Sequence, residues 1–253
     1  MTDRRITLQN YIESRGEVST DELCALFPDK SPMTIRRDLA FLAENGSIIR
    51  TFGGARSISH PSQLEPFYSE RESENPQIKE KLAMLAVKFI ENQSAVYVDS
   101  GTTTMSLVNY LPENDLTILT SAPNIGLKII AKKPSCAVNL VGGNLNPVTL
   151  SCSGSGSDQL LKLLNIDIAF MATSGFMPQT GFTIGHSFEY ELKQCAINKA
   201  SRVIMLMDST KIGRNMPYTF AQPADIDILI TDKNIPAEIE DLFTENKVTV
   251  LKT

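Results

Sequence analysis

Residues 99–104, namely Asp99, Ser100, Gly101, Thr102, Thr103 and Thr104, set a carboxylate, a glycine and four hydroxyls between the apolar run AVYV and the helix-like run MSLVNYL. A strand, a small polar turn and a helix start make an anion site, because free N–H groups, hydroxyl donors and the positive helix end converge there. Phosphate suits such a turn, and helix capping by Ser100 or Thr102 is the plainer alternative. Gly142 and Gly143 end another apolar run, where backbone could approach a ligand closely. Glu189, Glu191 and Lys193 alternate along a helical stretch that follows His186, and they read equally as a solvated charged face or as a polar grip on sugar hydroxyls. Lys211 closes the run Asp208-Ser209-Thr210-Lys211 beyond the strand-like VIMLM, where it would meet phosphate as a point charge.

A second set of residues lies near the N-terminus. Ser31 is a natural N-cap and Pro32 suits the first helical position, so a helix is expected to start there. At about 100° per residue, Ile35, Leu39 and Leu42 share one face, while Met33, Arg37 and Ala40 point the other way with Arg36 on the flank. That outward face matches a major-groove helix: Ser31 and Thr34 to meet phosphates, and guanidiniums to grip a guanine edge. The competing reading is a solvated face in which Arg36 and Arg37 pair with Asp38.

The elements around these residues decide between such alternatives. Leu8, Tyr11 and Ile12 give a first amphipathic helix that Gly16 ends, and Ser19 with Glu22 has capping-box spacing for a second whose buried side carries Leu23, Leu26 and Phe27. Gly46 breaks the third helix, and residues 48–52 followed by Gly53 and Gly54 read as a two-stranded wing carrying Arg50. Three short helices and a basic wing before residue 57 favour the DNA-contact reading. Residues 57–78 are polar, with three prolines, and read as a linker or extended arm between a domain at 1–56 and a larger one at 79–253. In the larger part, apolar runs at 95–98, 116–119, 137–141, 166–171, 203–207, 226–230 and 248–251 alternate with helical stretches. That rhythm predicts an α/β fold with parallel strands and crossover helices.

Lys and Arg total 24 against 29 Asp and Glu, a net charge of −5, so any nucleic-acid contact must come from a local patch. Cys24, Cys136, Cys152 and Cys195 stand far apart, and only His60 and His186 could join them as nitrogen ligands. No metal or cofactor is therefore expected, and the thiols read as reduced. With no apolar run long enough for a membrane span, the chain is expected to be cytoplasmic.

Ser31–Leu39, SPMTIRRDL, followed by IIRTFGGA at 48–55, resembles the DeoR family of sugar-metabolism regulators. The resemblance continues through DSGTTT, TSAPN at 120–124, VGG, DIAFMATSGF, EYELK, DSTKIG and LITD at 229–232. Departures are Lys30 in place of an apolar residue, one extra residue in the helix-turn-helix turn, Phe52, Ser121 with Ala122, and the run Met171-Ala172-Thr173. The resemblance implies a winged helix-turn-helix joined to an α/β sensor of the ribose-5-phosphate isomerase and coenzyme A transferase type, with a phosphosugar ligand. It adds Ser121 to the expected ligand residues Asp99, Ser100, Gly101, Thr102, Thr103, Thr104, Gly142, Gly143, Glu189, Lys193 and Lys211. The expected DNA contacts are Ser31, Met33, Thr34, Arg36, Arg37 and Arg50.

Sugar-phosphate isomerisation needs a carboxylate base beside the substrate carbon, and the related enzymes carry acids in the segment matching FMATSGF. Residues 170–179 contain none, which favours a non-catalytic sensor over an isomerase, with Glu189 the remaining candidate base. The expected partners are double-stranded operator DNA, a small phosphorylated sugar and a second copy of the chain, as homodimer or homotetramer. One short recognition helix buries too little surface for specific affinity by itself.

Overall fold

The computed structural model describes residues 3–15, 17–45, 47–51, 54–57, 65–113, 115–154 and 156–253. Gly16, Gly46, Phe52, Gly53 and His60, each weighed above, lie outside the described residues. The chain divides into two compact units, Met1–Leu64 and Glu65–Thr253.

The N-terminal unit holds helices Asp3–Arg15, Thr20–Ala25 and Pro32–Glu44 and a three-stranded antiparallel sheet. Its core is the apolar face expected from spacing, Leu8, Ile12, Leu23, Ile35, Leu39 and Leu42, together with Val18, Ile48 and Ala55. Strands Ile48–Thr51 and Gly54–Ser57 form the hairpin of the wing. A third strand, Glu17–Ser19, pairs with the second of these and was not expected, since three residues between helices carry no period. Gly54 is required in that pairing, because a Cβ on it would fall 2.0 Å from the Val18 carbonyl oxygen. Ser19 caps the second helix, its Oγ accepting from the Glu22 N–H at 3.1 Å. The Glu22 carboxylate does not close the capping box and accepts from the Tyr11 hydroxyl at 2.9 Å. One expectation is corrected here. The second helix ends at Ala25, so Leu26 becomes its C-cap and stays 38% exposed instead of joining the buried side.

In the C-terminal unit all seven expected strands form one parallel sheet, each within a few residues of its expected bounds. Ala95–Val98 lies beside Ile166–Ala172 at the centre. On one side follow Thr117–Thr120 and Ala137–Leu140, on the other Ala200–Leu206, Ile228–Thr231 and Thr249–Lys252. Successive side chains go to opposite faces, so Val96 and Val98 enter one hydrophobic core and Tyr97 the other. Both faces are thus buried, as parallel sheets require. Strand order reverses between the two central strands, and open α/β sheets bind ligands beyond the carboxyl ends at such a reversal. The turn 99–104 sits at that place.

Short elements escaped the sequence reading. Gly175–Met177, Gly181–Ile184 and Tyr218–Ala221 make a small antiparallel sheet, and Asn144–Leu145 pairs with Cys152–Ser153. The expectation of a linker reaching Ile78 is also corrected. Residues 65–78 belong to the C-terminal unit, with a helix at Tyr68–Ser73 and another starting at Pro76. Tyr68 is buried there and its N–H donates to the Val148 carbonyl at 2.8 Å. The helix YSERES buries Tyr68 but is otherwise polar, so hydropathy gave no sign of it.

Candidate functional site

In the N-terminal unit, the helix Pro32–Glu44 starts as its sequence dictates. Ser31 Oγ accepts from the Thr34 N–H at 3.3 Å and shares a hydrogen bond with the Thr34 hydroxyl at 3.0 Å. Met33 is 69% exposed, and Arg36, Arg37 and Arg50 are exposed as well. Asp38 decides between the two readings of the arginines. It is buried, and its carboxylate accepts from Arg4 Nε at 2.6 Å and from Arg5 Nε at 2.8 Å, both from the first helix. Burial pushes the Asp38 carboxyl up, but the two guanidinium hydrogen bonds and charges outweigh it and hold the group below its ordinary value. The Arg5 guanidinium also stacks 3.7 Å from the Phe41 ring centroid. Asp38 is therefore a strut between helices and not the neutralising partner of Arg36 and Arg37. Among the described residues those two arginines and Arg50 enter no ion pair, which leaves a basic surface beside the helix start.

In the C-terminal unit, a narrow crevice opens at the switch point. It is lined by Tyr97, Asp99, Ser100, Ser121, Ser151, Cys152, Glu189, Leu192 and Lys193. Asp99 is less free than a ligand-binding acid would be. Its Oδ2 accepts from the Ala172 N–H at 2.9 Å and from Lys193 Nζ, while Lys193 also donates to the Ala172 carbonyl at 3.0 Å. The pair ties the two central strands to the helix Tyr190–Lys199. Lys193 Nζ further lies 4.9 Å from the Phe220 ring centroid, so its charge is held in place from several sides.

Glu189 faces the crevice from the helix Ser187–Glu189 and accepts from the Ser151 hydroxyl, which shares a hydrogen bond with Thr149 at 2.8 Å. Burial pushes its carboxyl up to about 7, and the nearby Glu65 charge adds to this against Lys193 and Ser151. Glu189 is thus poised between donor and acceptor at neutral pH. These groups pack against one another and leave no room for a guest even the size of water, so side chains must move apart to admit a sugar phosphate.

The turn 99–104 is tightly built. Thr104 is fully buried and its hydroxyl donates to the Asp99 carbonyl at 2.6 Å and the Gly101 carbonyl at 2.7 Å. Any Cβ on Gly101 would lie 2.6 Å from the Ala172 Cβ, so only glycine lets the turn lie against the neighbouring strand. The α-helix after it runs only from Thr102 to Met105 before tightening to a 3₁₀ turn. Its dipole is accordingly small, and most positive potential must come from side chains. Ser100, Thr102 and Thr103 are largely buried, and the Thr102 hydroxyl donates to the Arg71 carbonyl at 3.4 Å.

The expected ligand residues separate into groups. Asp99, Ser100, Ser121, Glu189 and Lys193 meet in the crevice. Gly142 and Gly143 do not line it and instead support its wall. Gly142 has φ 143°, and a Cβ there would lie 2.3 Å from the Cys152 Cβ. Lys211 is buried with its Nζ 3.6 Å from Glu74, on the side of the turn where Arg71 and Lys79 stand. Sequence reasoning missed Arg71, Lys79, Glu65 and Ser151. The first three fall in or beside a stretch that resembles a linker, and Ser151 sits in a serine-rich loop. Glu65 is buried, paired with Arg71 Nη1 at 2.7 Å and accepting from the Ser174 hydroxyl at 2.6 Å. Among the described residues no group of three or more His, Cys, Asp or Glu is placed to hold a metal.

Comparison with known proteins accords with both halves. Residues 4–61 match the DeoR-like helix-turn-helix domain and residues 74–233 the DeoR C terminal sensor domain. The HTH-type transcriptional regulator IolR of Bacillus subtilis is 33% identical over 96% of this chain and 96% of its own. The HTH-type transcriptional repressor GlcR of the same organism is 30% identical over 99% and 96%. A putative aga operon transcriptional repressor of Escherichia coli O157:H7 is 28% identical over 94% and 88%. Among solved structures, ribose 5-phosphate isomerase A of Methanocaldococcus jannaschii aligns over 55% of this chain and 56% of that one, at 15% identity and a TM-score of 0.42. With both domain models and relatives matched along nearly its full length, the chain belongs to the DeoR family of HTH-type transcriptional regulators.

Proposed function

We propose that this protein is a repressor of a carbohydrate-metabolism operon whose grip on operator DNA is controlled by a phosphorylated sugar bound in the C-terminal unit. The observation that carries this reading is the polar crevice at the strand-order reversal, where buried Glu189, Lys193 and Ser151 meet the hydroxyl-rich turn. Glu189 and Ser151 suit sugar hydroxyls, and the hydroxyl-rich turn of Ser100, Gly101, Thr102, Thr103 and Thr104, with Lys211, suits a phosphate. On the DNA side, Ser31 and Thr34 meet phosphates, Met33, Arg36 and Arg37 face the major groove, and Arg50 reaches the backbone from the wing. Relatives named as repressors, one of them of an operon, support the sign of the effect.

The segment that begins near residue 57 and ends before Glu65 connects the DNA-binding part to the sensor. No helix among the described residues is long and apolar enough to cross a membrane, consistent with action on cytoplasmic DNA. Two copies, paired through the larger unit, would present two recognition helices to paired half-sites. One feature favours the isomerase alternative: the elevated Glu189 carboxyl beside a polar crevice resembles a poised base. Against it, residues 170–179 offer no acid.

The test is an operator-binding titration on DNA upstream of the protein's own gene, repeated with a panel of pentose and hexose phosphates beside an isomerase assay. A shift of operator affinity without turnover is expected. Turnover of a sugar phosphate, or no shift with any of the panel at millimolar concentration, would overturn the sensor reading.

A further inference from the structure

The central strand Ala95–Val98 carries a polar group that its place does not call for. Tyr97 stands between Val96 and Val98 and is fully buried, its ring part of the hydrophobic core that includes Leu192 and Ala196 of the helix Tyr190–Lys199. A phenylalanine would fill that core as well. The hydroxyl adds a cost, because Tyr97 Oη is buried without a hydrogen-bond partner. Tyr97 precedes Asp99 by two residues, so the two side chains leave the same face of the strand, and the phenol lines the crevice.

Polar groups around it are engaged with one another. The Ser151 hydroxyl donates to Glu189, and Lys193 Nζ meets Asp99 and the Ala172 carbonyl. Ser121 stands beside the phenol but not in hydrogen-bond geometry. Burial pushes the phenol well above its ordinary value, and the Asp99 charge adds to this against Ser121. Tyr97 therefore stays protonated and offers a donor. Glu189 and Ser151 come from a short helix and a loop, whereas the Tyr97 ring is fixed in the sheet on a central strand. A ligand that parts the first two finds the phenol still in place.

We propose that the Tyr97 hydroxyl is a specificity determinant of the sensor: it donates to a hydroxyl or carbonyl oxygen on the carbon chain of the effector, and so selects sugar phosphates over phosphate esters whose chain has no oxygen at that depth. The inference rests on the sugar-phosphate reading above and names what recognises the sugar end. A site with a buried donor built for one oxygen discriminates against a ligand without it, because the donor is left unpaired. In the free protein that cost is already present, so an oxygenated ligand gains by removing it. Inorganic phosphate has no chain with which to reach Tyr97.

Calorimetry and tyrosine difference absorption on the full chain test this, with glucose 6-phosphate, fructose 6-phosphate, ribose 5-phosphate and inorganic phosphate as probes. The chain has 6 Tyr and no Trp, so a phenol that gains a hydrogen-bond partner is visible in the near ultraviolet. At least one of the sugar phosphates should bind and shift the tyrosine spectrum of the wild type. Tyr97→Phe should lose that shift and bind the same sugar phosphate about 10- to 100-fold more weakly, the cost of leaving a buried oxygen without its donor, while binding inorganic phosphate as the wild type does. Tyr218→Phe, which removes a hydroxyl from an exposed ring, should match the wild type throughout. Without ligand, Tyr97→Phe should melt no lower than the wild type, since it deletes an unpaired group. A lower midpoint would show that the hydroxyl holds a partner in the free protein, and a matching loss of affinity for inorganic phosphate would place the effect in the whole site; either overturns the proposal. Wild-type binding of the sugar phosphates by Tyr97→Phe, with operator affinity still responding to them, overturns the role of Tyr97 and leaves the sensor reading intact. A wild-type protein that binds none of the three sugar phosphates overturns both.

Discussion

Glu189 and Gly101 show how single residues decide what the crevice does. Glu189 has its carboxyl raised to about 7, first by burial and then by Glu65, against Lys193 and Ser151. An unfolded glutamate titrates near 4.3, so between about 4.3 and 7 the folded state holds the extra proton. The contribution of this group to stability is present in full below that window and is lost as pH rises through 7. Glu189→Gln should therefore gain on wild type as pH rises across the window and then run level, a difference read from denaturant midpoints at a series of pH values. Parallel pH profiles for the two proteins would show that Glu189 keeps an ordinary carboxyl. Gly101 acts through space alone. With a Cβ only 2.6 Å from Ala172, Gly101→Val must spread the turn from the central strand, at about 1–3 kcal/mol for overpacking. Effector response should vanish while operator binding survives, because the N-terminal unit has a separate core. A valine variant that still responds to sugar phosphate would remove the turn from the site.

At the scale of elements, the helix Pro32–Glu44 divides its tasks by face. Ile35, Leu39 and Leu42 hold it to the core, Asp38 fastens it to Arg4 and Arg5, and Arg36 and Arg37 are left outward. Arg36→Ala and Arg37→Ala should each cost about 1–3 kcal/mol of operator affinity if the residue reads a base, and less, with a shallower salt slope, if it meets phosphate. Neither should lower the melting midpoint. Asp38→Ala should do the reverse, lowering the midpoint of the N-terminal unit by releasing two arginines from their shared carboxylate. Equal operator affinity in both arginine variants across a salt series would sink the assignment of this face. The outward arginines were readable from period and capping alone, and so were the seven parallel strands, since each is a run rich in apolar residues, the inner five largely buried and the edge strands Ala137–Leu140 and Thr249–Lys252 only in part. Asp38's partners were not readable, because they come from 33 and 34 residues away and no local pattern marks a carboxylate that reaches back to another helix. The helix Tyr68–Ser73 was hidden for a different reason. It buries one tyrosine, and its half-buried Arg71 pairs with the buried Glu65 just before the helix, two charged residues that hydropathy scores as exposed loop.

For the whole molecule, a sensor and a reader in one chain make sense only if each biases the other. An effector shifts operator affinity by no more than the difference in its own affinity for the DNA-competent and DNA-incompetent states. A coupling of about 1–3 kcal/mol gives a roughly 5- to 150-fold change, and thermodynamic reciprocity requires operator DNA to weaken effector binding by the same factor. The narrowness of the crevice supplies a physical source for the difference. With its walls in contact it has to open for a sugar phosphate, and opening parts groups that now bond each other, such as Ser151 from Glu189. If the closed crevice accompanies the DNA-competent state, the ligand selects the other state and relieves repression. Titrating the sugar phosphate into free protein and into the protein–operator complex measures both sides of this cycle. The expected result is weaker effector binding to the complex, by the factor with which saturating effector weakens operator binding. Equal effector affinity for free and DNA-bound protein would mean that the crevice binds its ligand without informing the helix, and the coupling would have to be abandoned.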